Sequence, residues 1–185
     1  FTPAAVPQGD TAARIAKLKR SFDCLDVGND GSFVCSMKDG VVGSLVRKRI
    51  EPVITSSGTI FLRSVYRDRD WIYHDHVIVR VGEKELRTAP LPATSPLVSR
   101  REVRRTSSLG SRGRRRERDD YVDESVSYRD ADGTAVIEAI AQAGPAVVTM
   151  QLSGGPRTFE KTLSDDEKRL FSEARELAAL LRGAR

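Results

Sequence analysis

Cysteine, histidine and aromatic residues are scarce in this chain, and long apolar runs are missing. The 185 residues include two cysteines and two histidines, and aromatic side chains make up 6% of the total. Two cysteines alone cannot form a structural zinc site, because such a site normally needs four ligands. No run of about 18 apolar residues is present, so the sequence predicts no transmembrane helix.

The short motifs of several enzyme classes are also missing. The sequence has no Gly-Xaa-Ser-Xaa-Gly nucleophile elbow, no Gly-Lys-Ser/Thr phosphate loop and no dinucleotide-binding fingerprint. Acid–base catalysis would need two carboxylates that converge in a cleft, and no spacing here indicates such a pair. The carboxylates considered are Asp68, Asp70, Asp75, Asp119, Asp120, Asp123 and Glu124. We therefore expect a protein that is not an enzyme and that needs no cofactor.

The length of the chain suits a single domain with its own core. Hydrophobic residues make up 39% and charged residues 31% of the sequence, which is typical of a modest core with solvated loops. Residues 1–9 form a polar, proline-containing lead, and residues 10–185 are predicted to form one β-rich domain. A lead that starts at Phe1 is typical of an exported protein after signal removal, although a trimmed tag would look similar. We therefore expect an extracytoplasmic location, either periplasmic or secreted.

Apolar and polar residues alternate most clearly over residues 71–81. One set of alternate positions holds the single tryptophan, Tyr73 and three valines, so we expect this set to face the core of a long strand. Residues 59–66 give a second strand signal, and the charged residues 67–70 connect the two. The sequence therefore predicts an antiparallel hairpin between residues 59–66 and 71–81.

Two helices are predicted in the second half of the chain. Residues 134–143 have helical spacing and end at a Gly-Pro pair. Ser164 and Glu167 form a capping box that opens a longer amphipathic helix. The apolar stripe of this helix consists of Leu170, Phe171, Ala174, Leu177, Ala178 and Leu181. The predicted fold is mainly β (α+β): an antiparallel β-sandwich-like domain with a short helix and a C-terminal helix packed on the sheet.

Cys24 and Cys35 lie at mirror positions about a predicted hairpin turn. Residues 28–31 tolerate the positive backbone angles that a tight turn requires. With the turn centred between Asn29 and Asp30, the cysteines face each other across the two strands, where about 4.5–5.5 Å separates Cα atoms. That separation suits a disulfide, which would indicate an oxidising compartment. The alternative is two buried thiols in a reduced protein.

His74 and His76 are the only histidines, and their spacing on a strand would direct both to one face. Such a pair can bind a metal if a neighbouring carboxylate completes the site. Two surface imidazoles without a metal are the alternative, which we favour. A metal-dependent enzyme built around this pair remains the third choice for the function.

The most distinctive feature is an arginine-rich segment, residues 100–118. Its arginines are Arg100, Arg101, Arg104, Arg105, Arg112, Arg114, Arg115, Arg116 and Arg118. With Glu102 and Glu117 the segment carries a net charge of +7, and the rest of the chain carries −2, because the whole chain is at +5. We interpret the segment as a long excursion between two strands. Its guanidinium groups would bind the carboxylates of a partner. Nucleic acid is the alternative partner, although the segment has no aromatic residue for base stacking; a solvated charged loop is the third possibility.

The order of parts in the chain resembles a domain found in uncharacterised bacterial secreted or lipoprotein-like proteins. The resemblance covers roughly residues 22–181 and departs from the family in the arginine-rich segment and the early cysteine pair. It is carried by Asp70-Trp71, Asp123-Glu124-Ser125, the helix ending Ile140–Ala143, the strand Val147–Leu152, Phe159 and Leu163-Ser164. It implies a β-sandwich-like body with a terminal helix and an exported setting, and it implies no activity.

From these observations we expect a non-enzymatic interaction or accessory subunit of a larger bacterial extracytoplasmic assembly. Its arginine-rich segment would dock on an acidic protein surface or on other subunits of the assembly. A nucleic-acid-binding module that uses the same arginines is the alternative.

Overall fold

The computed structural model describes residues 8–38, 47–106 and 118–184. None of the helices in these ranges is long and apolar enough to cross a membrane. In chain order the elements are α1 (Gln8–Lys19), β1 (Phe22–Asp26), β2 (Phe33–Met37), β3 (Arg47–Thr55), β4 (Ile60–Asp68), β5 (His76–Val81), β6 (Lys84–Arg87), β7 (Val98–Thr106), β8 (Arg118–Tyr128), α2 (Ala131–Ala141), β9 (Val148–Ser153), β10 (Phe159–Thr162) and α3 (Asp165–Gly183).

The strands form two antiparallel sheets. The six-stranded sheet has the order β1-β2-β3-β4-β8-β7, and the four-stranded sheet has the order β10-β9-β5-β6. Both ends of the second sheet are hairpins, β5 with β6 and β9 with β10. The structure thus confirms the predicted fold class, a mainly antiparallel β-sandwich-like fold with a C-terminal helix.

The main core lies between the two sheets and is closed by α2. Successive side chains of a strand point to opposite faces, so alternate residues of each strand enter this core. We call the side of the six-stranded sheet that faces the core its inner face, and the opposite side its outer face. Buried core residues include Ile50, Leu62, Val126 and Tyr128 from the six-stranded sheet, Val77, Val79, Met150 and Leu152 from the four-stranded sheet, and Val136, Ile137 and Ile140 from α2.

A second, smaller core lies where α3 and α1 cover β1, β2 and β3. The predicted capping box starts α3: Ser164 Oγ accepts the Glu167 N–H at 3.2 Å, and the Glu167 carboxylate accepts the Ser164 N–H at 2.9 Å. The predicted stripe is buried in its centre and half-buried at its ends. Its central residues Ala174, Leu177 and Ala178 pack with Leu18, Phe22, Cys35 and Ile54.

The predicted disulfide is present at the start of the six-stranded sheet. β1 and β2 form a hairpin in which Cys24 and Cys35 are register partners and are joined by a disulfide. The Val27 N–H bonds the Ser32 carbonyl at 2.9 Å, so residues 28–31 make the turn. Within it Gly31 has a φ of 79°, a conformation that glycine adopts without strain.

Replacing both cysteines with serine should lower the free energy of unfolding by about 2–3 kcal/mol, because the unfolded chain regains the entropy that a short closed loop removes. Denaturant unfolding of the wild type and of the double variant measures this difference. Reducing agent should destabilise the wild type by a similar amount and leave the double variant unchanged. Two reactive thiols in the unreduced wild type would contradict the prediction.

The strand prediction for residues 71–81 is only partly correct. β5 begins at His76, and residues 71–75 are irregular, with Tyr73 in the left-handed conformation at a φ of 54°. The change of conformation shifts the alternation: Ile72 and His74 are buried, whereas Tyr73 is 48% exposed. The predicted hairpin with residues 59–66 is wrong, because β4 pairs with β3 and β8 while β5 belongs to the other sheet.

Candidate functional site on the β7–β8 hairpin

The arginine-rich segment is built into the six-stranded sheet at both of its ends. β7 and β8 are antiparallel partners, and residues 107–117 between them lie outside the described part of the chain. The excursion predicted for residues 100–118 therefore has different bounds, since residues 100–106 and Arg118 belong to strands. Among the predicted partner-binding residues, Arg112, Arg114, Arg115 and Arg116 lie outside the described residues.

The register of this hairpin places arginines opposite acids. The four pairs are Arg100 with Glu124, Arg101 with Asp123, Arg104 with Asp120, and Arg105 with Asp119. Opposite charges at facing positions stabilise a strand pair. β7 carries four arginines and Glu102, a net of +3, and β8 carries Arg118 and four acids, a net of −3. The charges of the two strands therefore cancel. The unbalanced positive charge of the segment falls on residues 107–117, where four arginines and Glu117 give a net charge of +3.

Glu51 on β3 gathers three arginines on the outer face of the sheet. The carboxylate is fully buried, and its Oε1 accepts the Arg63 Nε–H at 2.7 Å. Arg49 Nη2 lies 2.6 Å and Arg47 Nη2 lies 3.7 Å from Oε2. Glu51 is thus a carboxylate shared by three guanidinium groups.

Asp123 on β8 gathers two further arginines on the same face. Its Oδ2 lies 3.1 Å from Arg67 Nη2 and 2.8 Å from Arg101 Nη2. Burial alone raises the pKa of Asp123, but the hydrogen bonds from Arg101 and Arg67 outweigh it, so the pKa lies below its ordinary value. Arg101 is 67% exposed at its side chain. Glu51 and Asp123 thus anchor five arginines on one face of the sheet, and Arg101 is the most exposed of them.

Glu124, the neighbour of Asp123 on β8, points to the inner face and is fully buried. Its Oε1 accepts the backbone N–H groups of Ile72 and Tyr73 at 2.7 and 3.1 Å. Its Oε2 lies 3.4 Å from Arg100 Nε, and Arg100 Nη2 also donates to the His74 carbonyl at 2.8 Å. Glu124 and Arg100 thus hold residues 70–75, which we call the strap, against the sheet.

The strap is also held from the four-stranded sheet. The Asp75 N–H donates to the Ser153 carbonyl at 2.9 Å. A Cβ atom at Gly155 would lie 1.8 Å from the Ile72 carbonyl oxygen, so only glycine permits this close approach. The strap presents Trp71 and Tyr73 as stacked rings with centroids 5.5 Å apart. Its left-handed tyrosine is therefore imposed by contacts from both sheets.

The favoured prediction of two surface imidazoles is wrong for His74. His74 is fully buried, and its Nε2 lies 2.8 Å from Ser64 Oγ, whereas the Nδ1 of His76 lies 2.6 Å from Asp75 Oδ1. The two imidazoles take separate partners because the strap leaves the strand conformation before β5 begins. In the described ranges no group of three His, Cys, Asp or Glu side chains is placed to hold a metal ion.

Ser64, His74 and Glu124 form the arrangement closest to enzyme chemistry. Besides the contact with Ser64, His74 places its Nδ1 3.4 Å from Glu124 Oε2, the order of a serine–histidine–carboxylate triad. All three side chains have 0% exposure, so no substrate can reach them in this conformation. Ser64 Oγ also contacts the Val126 carbonyl at 3.4 Å. We interpret this cluster as a structural polar network buried between the sheets, in which Ser64, His74 and Glu124 are one another's neighbours.

Asp68, Asp70, Asp119 and Asp120 are the remaining candidate carboxylates. Asp68 binds Lys48 on β3, and Asp70 lies 3.1 Å from Arg157. Asp119 and Asp120 stand opposite Arg105 and Arg104 in register. The contacts of Asp68 and Asp70 bring each of them to a basic side chain and not to a second candidate carboxylate. The outer-face arginines Arg47, Arg49, Arg63 and Arg67 were not singled out from the sequence, although their spacing of two and four residues within β3 and β4 places each pair on one face of a strand.

No family model, no curated protein and no solved structure matches the chain. The resemblance to secreted and lipoprotein-like bacterial proteins therefore stays a prediction.

Proposed function

We propose that this protein is a non-enzymatic binding module that docks on an acidic protein surface through the β7–β8 hairpin and the adjoining outer face of its six-stranded sheet. It would serve as an accessory subunit of a larger extracytoplasmic assembly. The observation that supports this proposal best is the concentration of arginine on the outer face, where Arg63, Arg67 and Arg101 stay partly exposed beside Glu51 and Asp123.

Two properties of these arginines suit protein docking. Arg63 and Arg67 on β4 and Arg101 on β7 lie on one face of the sheet on either side of β8, so their charges act over one surface. Each guanidinium has five N–H donors, and a carboxylate of the chain itself accepts only some of them, so the same arginine can also donate to a carboxylate of a partner. Residues 107–117 add +3 by composition between the two strands. Such a field speeds association with an acidic surface more than it tightens the complex.

The disulfide supports an extracytoplasmic setting. Disulfides persist in the periplasm and outside the cell and are rare in the cytosol. The Cys24–Cys35 bond joins β1 to β2, far along the sheet from β7. It therefore bears on the compartment and has no direct role in docking.

Nucleic acid is the second candidate partner. The arginine-rich segment has no aromatic residue, but the fold places Tyr121 of β8 under Arg67, with the guanidinium carbon 5.1 Å from the ring centroid. An aromatic ring beside arginines is the combination that binds single-stranded nucleic acid. Direct comparison of protein and nucleic-acid partners is therefore part of the test.

Changing Arg114, Arg115 and Arg116 together to alanine should leave the fold intact. It should weaken the binding of an acidic partner protein obtained by co-purification with the wild-type chain. Each exposed ion pair contributes about 0–1 kcal/mol, so the triple variant should lose roughly tenfold in affinity. Affinity of the wild type should fall as salt rises, and the gap between wild type and variant should narrow because ions screen the same charges. Calorimetric titration over a range of salt measures both effects.

A matched control removes three arginines elsewhere. Arg80, Arg87 and Arg157 have side chains that are 43%, 58% and 62% exposed, and none belongs to the six-stranded sheet. Alanine at these three positions changes the net charge equally and should leave binding within about twofold. Random duplex DNA that binds tightly, with a slope of about −0.9 per phosphate contact against log salt, and no protein partner would overturn the proposal in favour of nucleic acid.

A further inference from the structure

β7 is an edge strand whose outer side has no partner among the described strands. It lies at the end of the six-stranded sheet and pairs with β8 alone. The Ser127 N–H bonds the Leu97 carbonyl at 2.9 Å, and residues 97 and 127 face each other in this register. Hydrogen-bonded pairs alternate along antiparallel strands. Residues 100, 102 and 104 therefore direct their N–H and C=O groups away from β8.

Long edge strands are usually protected against pairing, and β7 lacks several of the usual devices. It has nine residues, contains no proline and runs in continuous register with β8 from Val98 to Thr106. Within the described ranges, the protection that this strand shows is charge, supplied by four arginines. Charge of one sign repels like strands and attracts strands of the opposite sign.

A second copy of the chain does not suit this edge. In antiparallel self-pairing about Glu102, the middle residue of β7, residues whose numbers add to 204 would face each other, so Arg100 would face Arg104 and Glu102 would face its own copy. Parallel self-pairing in register would set each arginine against its own copy. Like charges directly opposite each other destabilise a strand pair.

The pairing of β7 with β8 shows which kind of strand β7 can bind. Each of its acids Asp119, Asp120, Asp123 and Glu124 stands opposite an arginine of β7. The acids come in two adjacent pairs separated by two residues, which matches the spacing of the arginines. Arg101 contacts Asp123 but is 67% exposed, so it can meet a second carboxylate from the open side.

We infer that the acidic partner binds by adding an extended segment, with two pairs of acids spaced as in β8, as a seventh strand beside β7. This inference rests on the proposed function and specifies the part of the partner that binds. The main-chain groups of residues 100, 102 and 104 supply the hydrogen bonds, and the arginines select the sequence. Addition of a strand to a sheet edge is an established mode of peptide recognition.

A synthetic peptide that copies residues 119–126, Asp-Asp-Tyr-Val-Asp-Glu-Ser-Val, tests the inference on the full chain. Fluorescence anisotropy should show saturable binding of this peptide. A control peptide with Asn for Asp and Gln for Glu should bind at least about tenfold more weakly, the size of roughly 1.4 kcal/mol. Amide exchange should slow at residues 100, 102 and 104 while residues 101 and 103 stay protected, because strand addition leaves β8 in place.

Glu102 allows a matched pair of variants, because its side chain is exposed and its N–H points to the open edge. Glu102→Ala removes a charge that repels the peptide and should tighten binding by about two- to threefold. Glu102→Pro removes the same charge and the edge donor as well, without breaking the ladder to β8. It should bind at least about tenfold more weakly than Glu102→Ala.

Circular dichroism and thermal unfolding check that both variants fold. Should Glu102→Pro fail to fold, peptides N-methylated at alternate residues replace it: one methylated set should lose binding and the other should keep it. Equal binding by the two Glu102 variants, or by the two methylated sets, would overturn strand addition. A natural partner that needs Arg114–Arg116 yet binds Glu102→Pro normally would overturn this inference alone and leave the proposed function standing.

Discussion

Glu124→Ala is expected to lower the free energy of unfolding by about 3–5 kcal/mol, the cost of removing one member of a buried ion pair. The carboxylate is fully buried and accepts two backbone N–H groups of the strap. Without it, Arg100 loses its charge partner, and both N–H groups are left without an acceptor in a dry site. Denaturant unfolding at neutral pH measures the loss.

Glu124→Gln separates the charge from the shape of the side chain. Its amide oxygen can still accept the strap N–H groups, but its NH₂ group meets the donors of Arg100. We expect a smaller loss of about 1–3 kcal/mol, typical of a buried hydrogen bond that is impaired. A loss for Glu124→Ala below about 1 kcal/mol would mean that the strap is held by the four-stranded sheet alone.

The pH dependence of the stability difference between the wild type and Glu124→Gln follows from the pKa of Glu124. Burial alone raises that pKa, but the contacts from His74 Nδ1 and from the Ile72 and Tyr73 N–H groups outweigh it, so the pKa lies below its ordinary value. A lowered pKa in the folded state stabilises the fold above the ordinary value of about 4.3, and this stabilisation is lost as the pH falls through the folded pKa. The gap between wild type and Glu124→Gln should therefore narrow on acidification. A constant gap down to the acid transition would contradict this assignment.

Local signals were enough to predict the elements that local chemistry determines. The β1–β2 hairpin follows from a glycine-flanked turn, and its register sets Cys24 opposite Cys35. The start of α3 follows from the side chains of Ser164 and Glu167, which are three residues apart. In both cases the groups that interact are close in sequence, so spacing alone defines the geometry.

The strap could not be predicted in the same way. Residues 71–75 continue the alternation of β5, and no local breaker interrupts them. What bends them is remote: hydrogen bonds to Glu124, about fifty residues away, and the close approach of Gly155. Non-local contacts of this kind override the strand preference of a short segment.

The arginine-rich segment shows a signal that was present in the sequence and was not used. Each of the four facing pairs on β7 and β8 has residue numbers that add to 224. The same mirror rule predicted the disulfide from numbers that add to 59. Applied to charged residues, the mirror rule would have predicted that Arg100–Arg105 face Asp119–Glu124. It would also have predicted that the positive charge left without a facing acid lies in residues 107–117. Net charge alone could not show this, because it ignores which charges a hairpin brings together.

Leu177→Ala should cost about 2–5 kcal/mol of unfolding free energy, the range for leucine deleted from a packed core. Leu177 is fully buried in the second core, where α3 packs with α1 and the disulfide-bonded hairpin. The cavity would be lined by Cys35 and Ile54, whose strands are held by backbone ladders and cannot collapse into it easily. Leu25→Ala is the matched control, because Leu25 is 71% exposed on β1 and should change stability by less than about 0.5 kcal/mol. Equal losses from the two variants would mean that α3 does not close this core in solution.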